Sequence, residues 1–244
     1  MAAQILIIPG NPGNSDFYIS FMKELGKFNF DINILQSHFD NLEDHIQDIV
    51  INLEMINRPT IVIGHSIGAY MLLHAMSRIR NVNIVKVVAM YPFLEPDFSV
   101  PRVRNLAMIS RYYTIIGYLA GALSYLPHWI TSKMFKYLSK DKMDDHAVET
   151  CCKLLTMSNL RKYLYFANGY IKREIKFDWK LITSLGSLLV VYACPNDTWM
   201  SESLYAKICG LPGVNIEWHE DMTHAFIVSN KMCKLASRRI SALI

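Results

Sequence analysis

The sequence predicts an α/β fold: a mostly parallel sheet flanked by helices, with a helical apolar cap inserted between two of the strands. Three observations carry this. In the first half of the chain, short β-rich apolar runs alternate with amphipathic helical patterns, which is how βαβ units read in sequence. A serine framed by glycines, Gly64-His65-Ser66-Ile67-Gly68, stands where a strand passes into a helix. After a fourth strand the alternation stops over residues 94–180 and then resumes.

The elements follow in order. Residues 5–8 read as a buried strand and run into the turn Pro9-Gly10-Asn11-Pro12-Gly13-Asn14. Ser15 is then placed to cap a helix whose Phe17, Phe21, Met22 and Leu25 share a face. Residues 31–36 form a second strand, and 43–56 form a helix with Ile46, Ile49, Val50 and Leu53 at helical spacing, ended by Arg58-Pro59. Residues 60–63 are a third strand, 67–79 a helix and 84–90 a fourth strand. Strands at 187–193 and 214–218, each followed by a helix, complete the sheet. With 244 residues, one domain carrying the 94–180 insertion is the expected organisation.

Hydrophobic residues make up 52% of the chain and charged residues 19%. The mean hydropathy of +0.17 therefore implies apolar surface beyond what a core needs. A net charge of +4, spread along the chain, gives no footprint for nucleic acid. The five cysteines include the adjacent pair Cys151-Cys152 and no CxxC, so neither a disulfide framework nor a thiol metal site is expected. The opening Met-Ala-Ala leads directly into the first strand without the basic and apolar regions of a secretory signal, which favours the cytosolic side.

Glycine two residues before and two after a serine lets that serine occupy a strained strand-to-helix turn, because side chains there would collide with neighbouring backbone. Gly64 and Gly68 meet this need, making Ser66 a candidate nucleophile of the α/β-hydrolase fold. A serine hydroxyl needs a base to take its proton and a carboxylate to orient that base. In this fold the acid and then the histidine follow the late strands. Asp197 follows residues 187–193 and His224 follows 214–218. Glu95 and Asp97, after the fourth strand, are the alternative acids; His219 is the alternative base. His65 is expected to pack around the turn, and Asp221 to shape the loop before His224. The oxyanion donors are expected to be the backbone N–H groups of Ile67 and Asn11. The loop at 9–14 lacks both GxxxxGK[ST] and GxGxxG, so it does not read as a phosphate cradle. No HExxH occurs, and His219 and His224 do not share a helical face; neither metal nor cofactor is expected.

The surplus hydrophobicity sits in the insertion. Residues 112–132 carry no Asp, Glu, Lys or Arg, and no acidic residue occurs between Asp97 and Asp141. Arg102, Arg104, Arg111, Lys133, Lys136 and Lys140 all fall in that interval. An uncharged run of this length could span a bilayer, but Gly117, Gly121 and Pro127 argue against one straight helix. It reads either as a lid over an apolar acyl pocket or as an interfacial segment, and the basic flanks favour a phospholipid surface. The lipid-contact candidates are Arg111, Tyr118, Leu119, Leu123, Trp129 and Lys133.

Taken together, Ile8-Pro9-Gly10-Asn11-Pro12-Gly13, Gly64-His65-Ser66-Ile67-Gly68 and Thr223-His224-Ala225-Phe226-Ile227 resemble the lipid droplet-associated hydrolase family. Asp16-Phe17-Tyr18 after the first loop, and Trp199 just beyond Asp197, add to the likeness. The resemblance implies a serine lipid hydrolase acting on sterol esters or other neutral lipids at lipid droplets and the endoplasmic reticulum, on the cytosolic face, with its triad at Ser66, Asp197 and His224. It also implies a phospholipid monolayer as partner and no cofactor. The alternative role it leaves open is a weakly active or non-enzymatic droplet protein that promotes lipid storage. Family members carry further strands before this first one, so either a shortened sheet edge or an incomplete sequence is expected, and the junction after residue 36 reads as trimmed.

Overall fold

The computed structural model describes residues 3–36, 41–139, 142–172, 175, 177–195 and 197–243. The junction after residue 36, Lys140 and Asp141 thus lie outside the described residues. Six strands form one parallel sheet: β1 (Gln4–Ile8), β2 (Asp31–Ile34), β3 (Thr60–His65), β4 (Ile84–Met90), β5 (Leu189–Ala193) and β6 (Asn215–Trp218). Their order is β2-β1-β3-β4-β5-β6, with every neighbouring pair parallel.

Continuous apolar runs suit a sheet covered on both faces. Successive side chains alternate between faces, and both faces are buried here. Ile5, Ile7, Ile61, Ile63, Val88, Val190 and Tyr192 enter one core layer. Leu6, Ile8, Val62, Val87, Ala89, Leu189 and Val191 enter the other. Each buried aliphatic side chain stabilises the fold by roughly 1.5–3 kcal/mol, so substitution on either face is costly.

The first layer lies under α1 (Ile19–Gly26) and α11 (Asn230–Ser241). The second lies under α2 (Leu42–Glu54) and α3 (Ile67–Met76). The chain enters α1 differently from expectation: a 3-10 turn, Ser15–Tyr18, comes first, and Asn14 rather than Ser15 caps it by accepting from Asp16 N–H. Asn14 wins because its side chain reaches two residues ahead in an Asx turn, a geometry its short amide favours. The Ser15 hydroxyl instead accepts from the Gln36 amide.

Between β4 and β5 lie α4 (Pro101–Arg111), α5 (Tyr113–Leu123), α6 (His128–Leu138), α7 (Asp145–Leu154), α8 (Met157–Lys172) and α9 (Lys180–Leu185). α4 and α5 pack on α8, and α6 packs on α7. Of the three residues expected to interrupt the apolar run, only Pro127 does so, at the turn between α5 and α6. Gly117 and Gly121 stand one helical turn apart inside α5 and permit its close approach to α8. A Cβ on Gly117 would lie 3.1 Å from Arg161 Cβ, and one on Gly121 would lie 3.2 Å from Met157 Cβ. Among the described residues no helix is long and apolar enough to cross a membrane.

Candidate active site

In an open parallel sheet, side chains and backbone donors converge on the crevice at the strands' carboxyl ends, where neighbouring strands send their chains in opposite directions. That switch point falls between β1, which leads back to β2, and β3, which leads on to β4. The 9–14 loop leaves β1 there, and Ser66 ends β3.

Ser66 holds φ 55° and ψ −126°, a left-handed conformation that L-residues rarely adopt. Backbone bonds fix it: Ser66 N–H donates to Met90 O at 3.1 Å, while Ala69 and Phe93 N–H donate to Ser66 O. The flanking glycines leave room for this turn. A Cβ on Gly64 would meet Ala69 Cα at 2.6 Å, and one on Gly68 would press on the Ile8 and Pro9 carbonyl oxygens.

The structure brings Ser66, His224 and Asp197 into one hydrogen-bonded line. Ser66 Oγ lies 2.9 Å from His224 Nε2, and His224 Nδ1 lies 2.9 Å from Asp197 Oδ2. Both partners of Ser66 are shielded, with side-chain exposures of 9% for His224 and 3% for Asp197. Asp197 Oδ1 is occupied separately, accepting from Trp199 N–H at 2.8 Å and Met200 N–H at 3.2 Å. The carboxylate is thereby held with only Oδ2 facing the imidazole. Trp199 covers this corner, its ring 6.1 Å from that of His224 and beneath the Arg102 guanidinium.

The alternative acids and base are engaged elsewhere. Glu95 pairs with Lys207 at 3.6 Å. Asp97 bonds Ser99 and Ser203, and hydrogen bonds from serines, Ser201 foremost, hold its carboxyl below the usual range. His219 faces Tyr91 and Glu217 behind the sheet, and Asp221 bonds Arg239 at 2.6 Å.

The oxyanion candidates are adjacent to this line. Ile67 is the first residue of α3, where a helix leaves its N–H groups without intrahelical acceptors. Asn11 follows Gly10, whose hypothetical Cβ would lie 2.9 Å from Ser66 Cβ, so the loop backbone reaches the Ser66 turn. The Asn11 side chain is tied down as well, its amide donating to Tyr163 O at 3.1 Å. Beside Gly10 and Asn11 opens a cavity of about 350 Å³ lined by Ile8, Ile49, Ile67, Met71 and Phe166, with Asn159 and Lys162 also on its wall. Such a donor-rimmed cleft near the Ser66 hydroxyl has the features that acyl transfer requires.

A family model described as lipid-droplet associated hydrolase matches residues 34–227. The chain belongs to that family. It is 21% identical to the lipid droplet-associated hydrolase of Gallus gallus, over 98% of this chain and 82% of that protein. It is 29% identical to the one from Mus musculus, over 97% of this chain and 84% of that protein. Among solved structures it resembles a deformylase from Pseudomonas putida S16 with a TM-score of 0.68 at 14% identity, covering 98% of this chain and 92% of the other. That likeness shows the α/β-hydrolase fold. By its family this chain is a hydrolase.

One buried group near the line stands out in the sequence only as part of Asp16-Phe17-Tyr18, which gives it no role at the site. Tyr18, at the end of the 3-10 turn, is 2% exposed and directs its hydroxyl between Gly10 and His65. His65 is buried against Phe226, with ring centroids 5.2 Å apart. Burial, and then the neighbouring His224, push the His65 pKa from its ordinary 6.5 down to about 3. The unfolded chain therefore binds this proton more tightly than the folded one. The stability involved is complete above about pH 6.5 and is lost as pH falls toward 3. His74 and His219 are lowered by burial in the same direction. In urea unfolding at about pH 6.5 and 4.5, His65→Gln is expected to lose less stability than wild type, the difference being on the order of 2 kcal/mol. Equal losses would refute the assignment.

Proposed function

We propose that this chain is a serine ester hydrolase that cleaves carboxylic esters of neutral lipids, sterol esters among them, at the cytosolic surface of lipid droplets and the endoplasmic reticulum. The observation that carries this reading is the unbroken hydrogen-bonded line Asp197–His224–Ser66 at the sheet's switch point. His224 Nε2 takes the Ser66 Oγ proton as the oxygen attacks the ester carbonyl. The negative charge on the carbonyl oxygen is met by the Asn11 and Ile67 N–H groups. His224 then gives its proton to the departing alkoxide, leaving an acyl-serine. Water, deprotonated by the same imidazole, releases the carboxylic acid and restores Ser66. Asp197 stabilises the imidazolium at each stage, and every bond made or broken uses protein side chains and water alone.

Residues 94–180 act as a cap in this reading. Tyr118, Leu119 and Trp129 are each about 60% exposed, and Leu123 is 37% exposed. An apolar face of this kind, joined by the exposed Arg111 and by Lys133 over the Trp129 ring, suits insertion to headgroup depth in an anionic monolayer. Arg102, first grouped with these basic residues, instead stacks on Trp199 at the site, and Lys136 pairs with Asp145. The same apolar face would equally serve a droplet-coating protein without activity, so chemistry at Ser66 is the deciding test. A fluorophosphonate is expected to label wild type once per chain and to leave folded Ser66→Ala unlabelled. Equal labelling of both, or none of the wild type, overturns the proposed function.

A further inference from the structure

Three segments distant in sequence meet behind Ser66. Gly10 N–H donates to the Tyr18 hydroxyl oxygen at 2.9 Å. That hydroxyl lies 2.7 Å from His65 Nδ1. On its other side, His65 Nε2 lies 2.9 Å from the carbonyl oxygen of His224. Each proton in this chain has one consistent place. A backbone N–H can only donate, so the phenol accepts from Gly10; facing an imidazole that burial keeps neutral, it spends its own hydrogen on Nδ1. A carbonyl can only accept, so Nε2 must carry the imidazole hydrogen. The neutral His65 is therefore in one tautomer, fixed from both ends.

Gly10 directly precedes Asn11 on the oxyanion side of the site, and His224 is the base. We propose that Tyr18 and His65 are positioning residues, a strut that sets the spacing between the oxyanion loop and the His224 backbone across the Ser66 turn. The proposal rests on the acyl-transfer reading of Ser66. The strut is rigid because its members are buried and ring-packed: Tyr18 meets His65 edge-on at 5.9 Å, and Phe226 meets it at 5.2 Å. His65 also lies 5.4 Å from the His224 ring, but while Ser66 Oγ bonds His224 Nε2, the strut's own hydrogen bonds run to Gly10 and the His224 carbonyl. Its effect is thus on alignment, where a shift of about 1 Å can cost on the order of a hundredfold in rate.

The test uses the whole chain, a soluble p-nitrophenyl ester and a fluorophosphonate. Tyr18→Phe and His65→Leu are expected to lower kcat and the labelling rate by about 10- to 100-fold, with KM within about twofold of wild type. His65→Gln keeps an N–H able to reach the His224 carbonyl and is expected to recover most of that loss, whereas His65→Asn, one carbon shorter, is not. Rates that follow this order while thermal midpoints do not separate positioning from a general loss of structure. Reactive wild type with Tyr18→Phe and His65→Leu at wild-type rates overturns the strut alone, as does His65→Gln no faster than His65→Leu. Wild type that fails to react overturns the reading of Ser66 and the positioning role with it. Nitrogen chemical shifts of His65 test the geometry without activity: the neutral Nε2–H form at about pH 7 is expected, and the Nδ1–H form or an imidazolium overturns the strut.

Discussion

Replacing His224 with alanine is expected to lower kcat for ester hydrolysis by roughly 10⁴- to 10⁶-fold with little change in KM, because Ser66 then has no proton acceptor. Asp197→Asn is expected to cost about 10⁴-fold, by a different route. The Asp197 Oδ1 position is faced by two donors, the N–H groups of Trp199 and Met200. An asparagine must therefore turn its carbonyl oxygen toward them and its NH₂ toward His224 Nδ1. That nitrogen becomes the acceptor, the hydrogen moves to Nε2, and Nε2 can no longer take the Ser66 proton 2.9 Å away. Single-turnover hydrolysis of a soluble ester, with folding checked by thermal unfolding, measures both variants. Either one within tenfold of wild type would show that the hydrogen-bonded line is not the reaction path.

The sheet was legible because its four central strands write the same pattern, a short β-branched run largely buried on both faces, and because Gly and Pro mark the exits. Ser66, Asp197 and His224 were legible for a related reason: a nucleophile turn announces itself in five adjacent residues, and chain order then limits where its partners can stand. Tyr18 and His65 each stand in a segment the sequence singles out, but the bond between them had no such signal. It joins residues 47 positions apart, and nothing in the sequence near Tyr18 distinguishes a phenol that supports a loop from one that packs in a core. Arg102 was misgrouped for a similar reason. Its charge is visible in sequence, but whether it meets lipid or the face of Trp199 depends on how α4 is oriented. Gly117 and Gly121 read as helix breakers because propensity is local, whereas the close approach of α5 to α8 that uses them is tertiary.

That contrast between local cost and tertiary need leads to the second large expected effect. Gly68→Ala is expected to destabilise the protein by about 3 kcal/mol or more, although alanine is the better helix former. The added Cβ would press on the Ile8 carbonyl oxygen and lie 2.5 Å from that of Pro9. Both are backbone atoms at the exit of β1, and neither can swing aside as a side chain would. Relief requires α3 to move off the sheet, which carries Ile67 away from Asn11 and opens the gap between the two proposed oxyanion donors. Activity should therefore fall even in the fraction that stays folded. Gly169, exposed within α8 with nothing within 4 Å of its hypothetical Cβ, supplies the control. There alanine meets no obstacle and should add about 0.5–1 kcal/mol through helix propensity. Urea unfolding of the two variants beside wild type measures the contrast. If Gly68→Ala were as stable as Gly169→Ala, the close approach of α3 to β1 would not be what demands glycine at this turn.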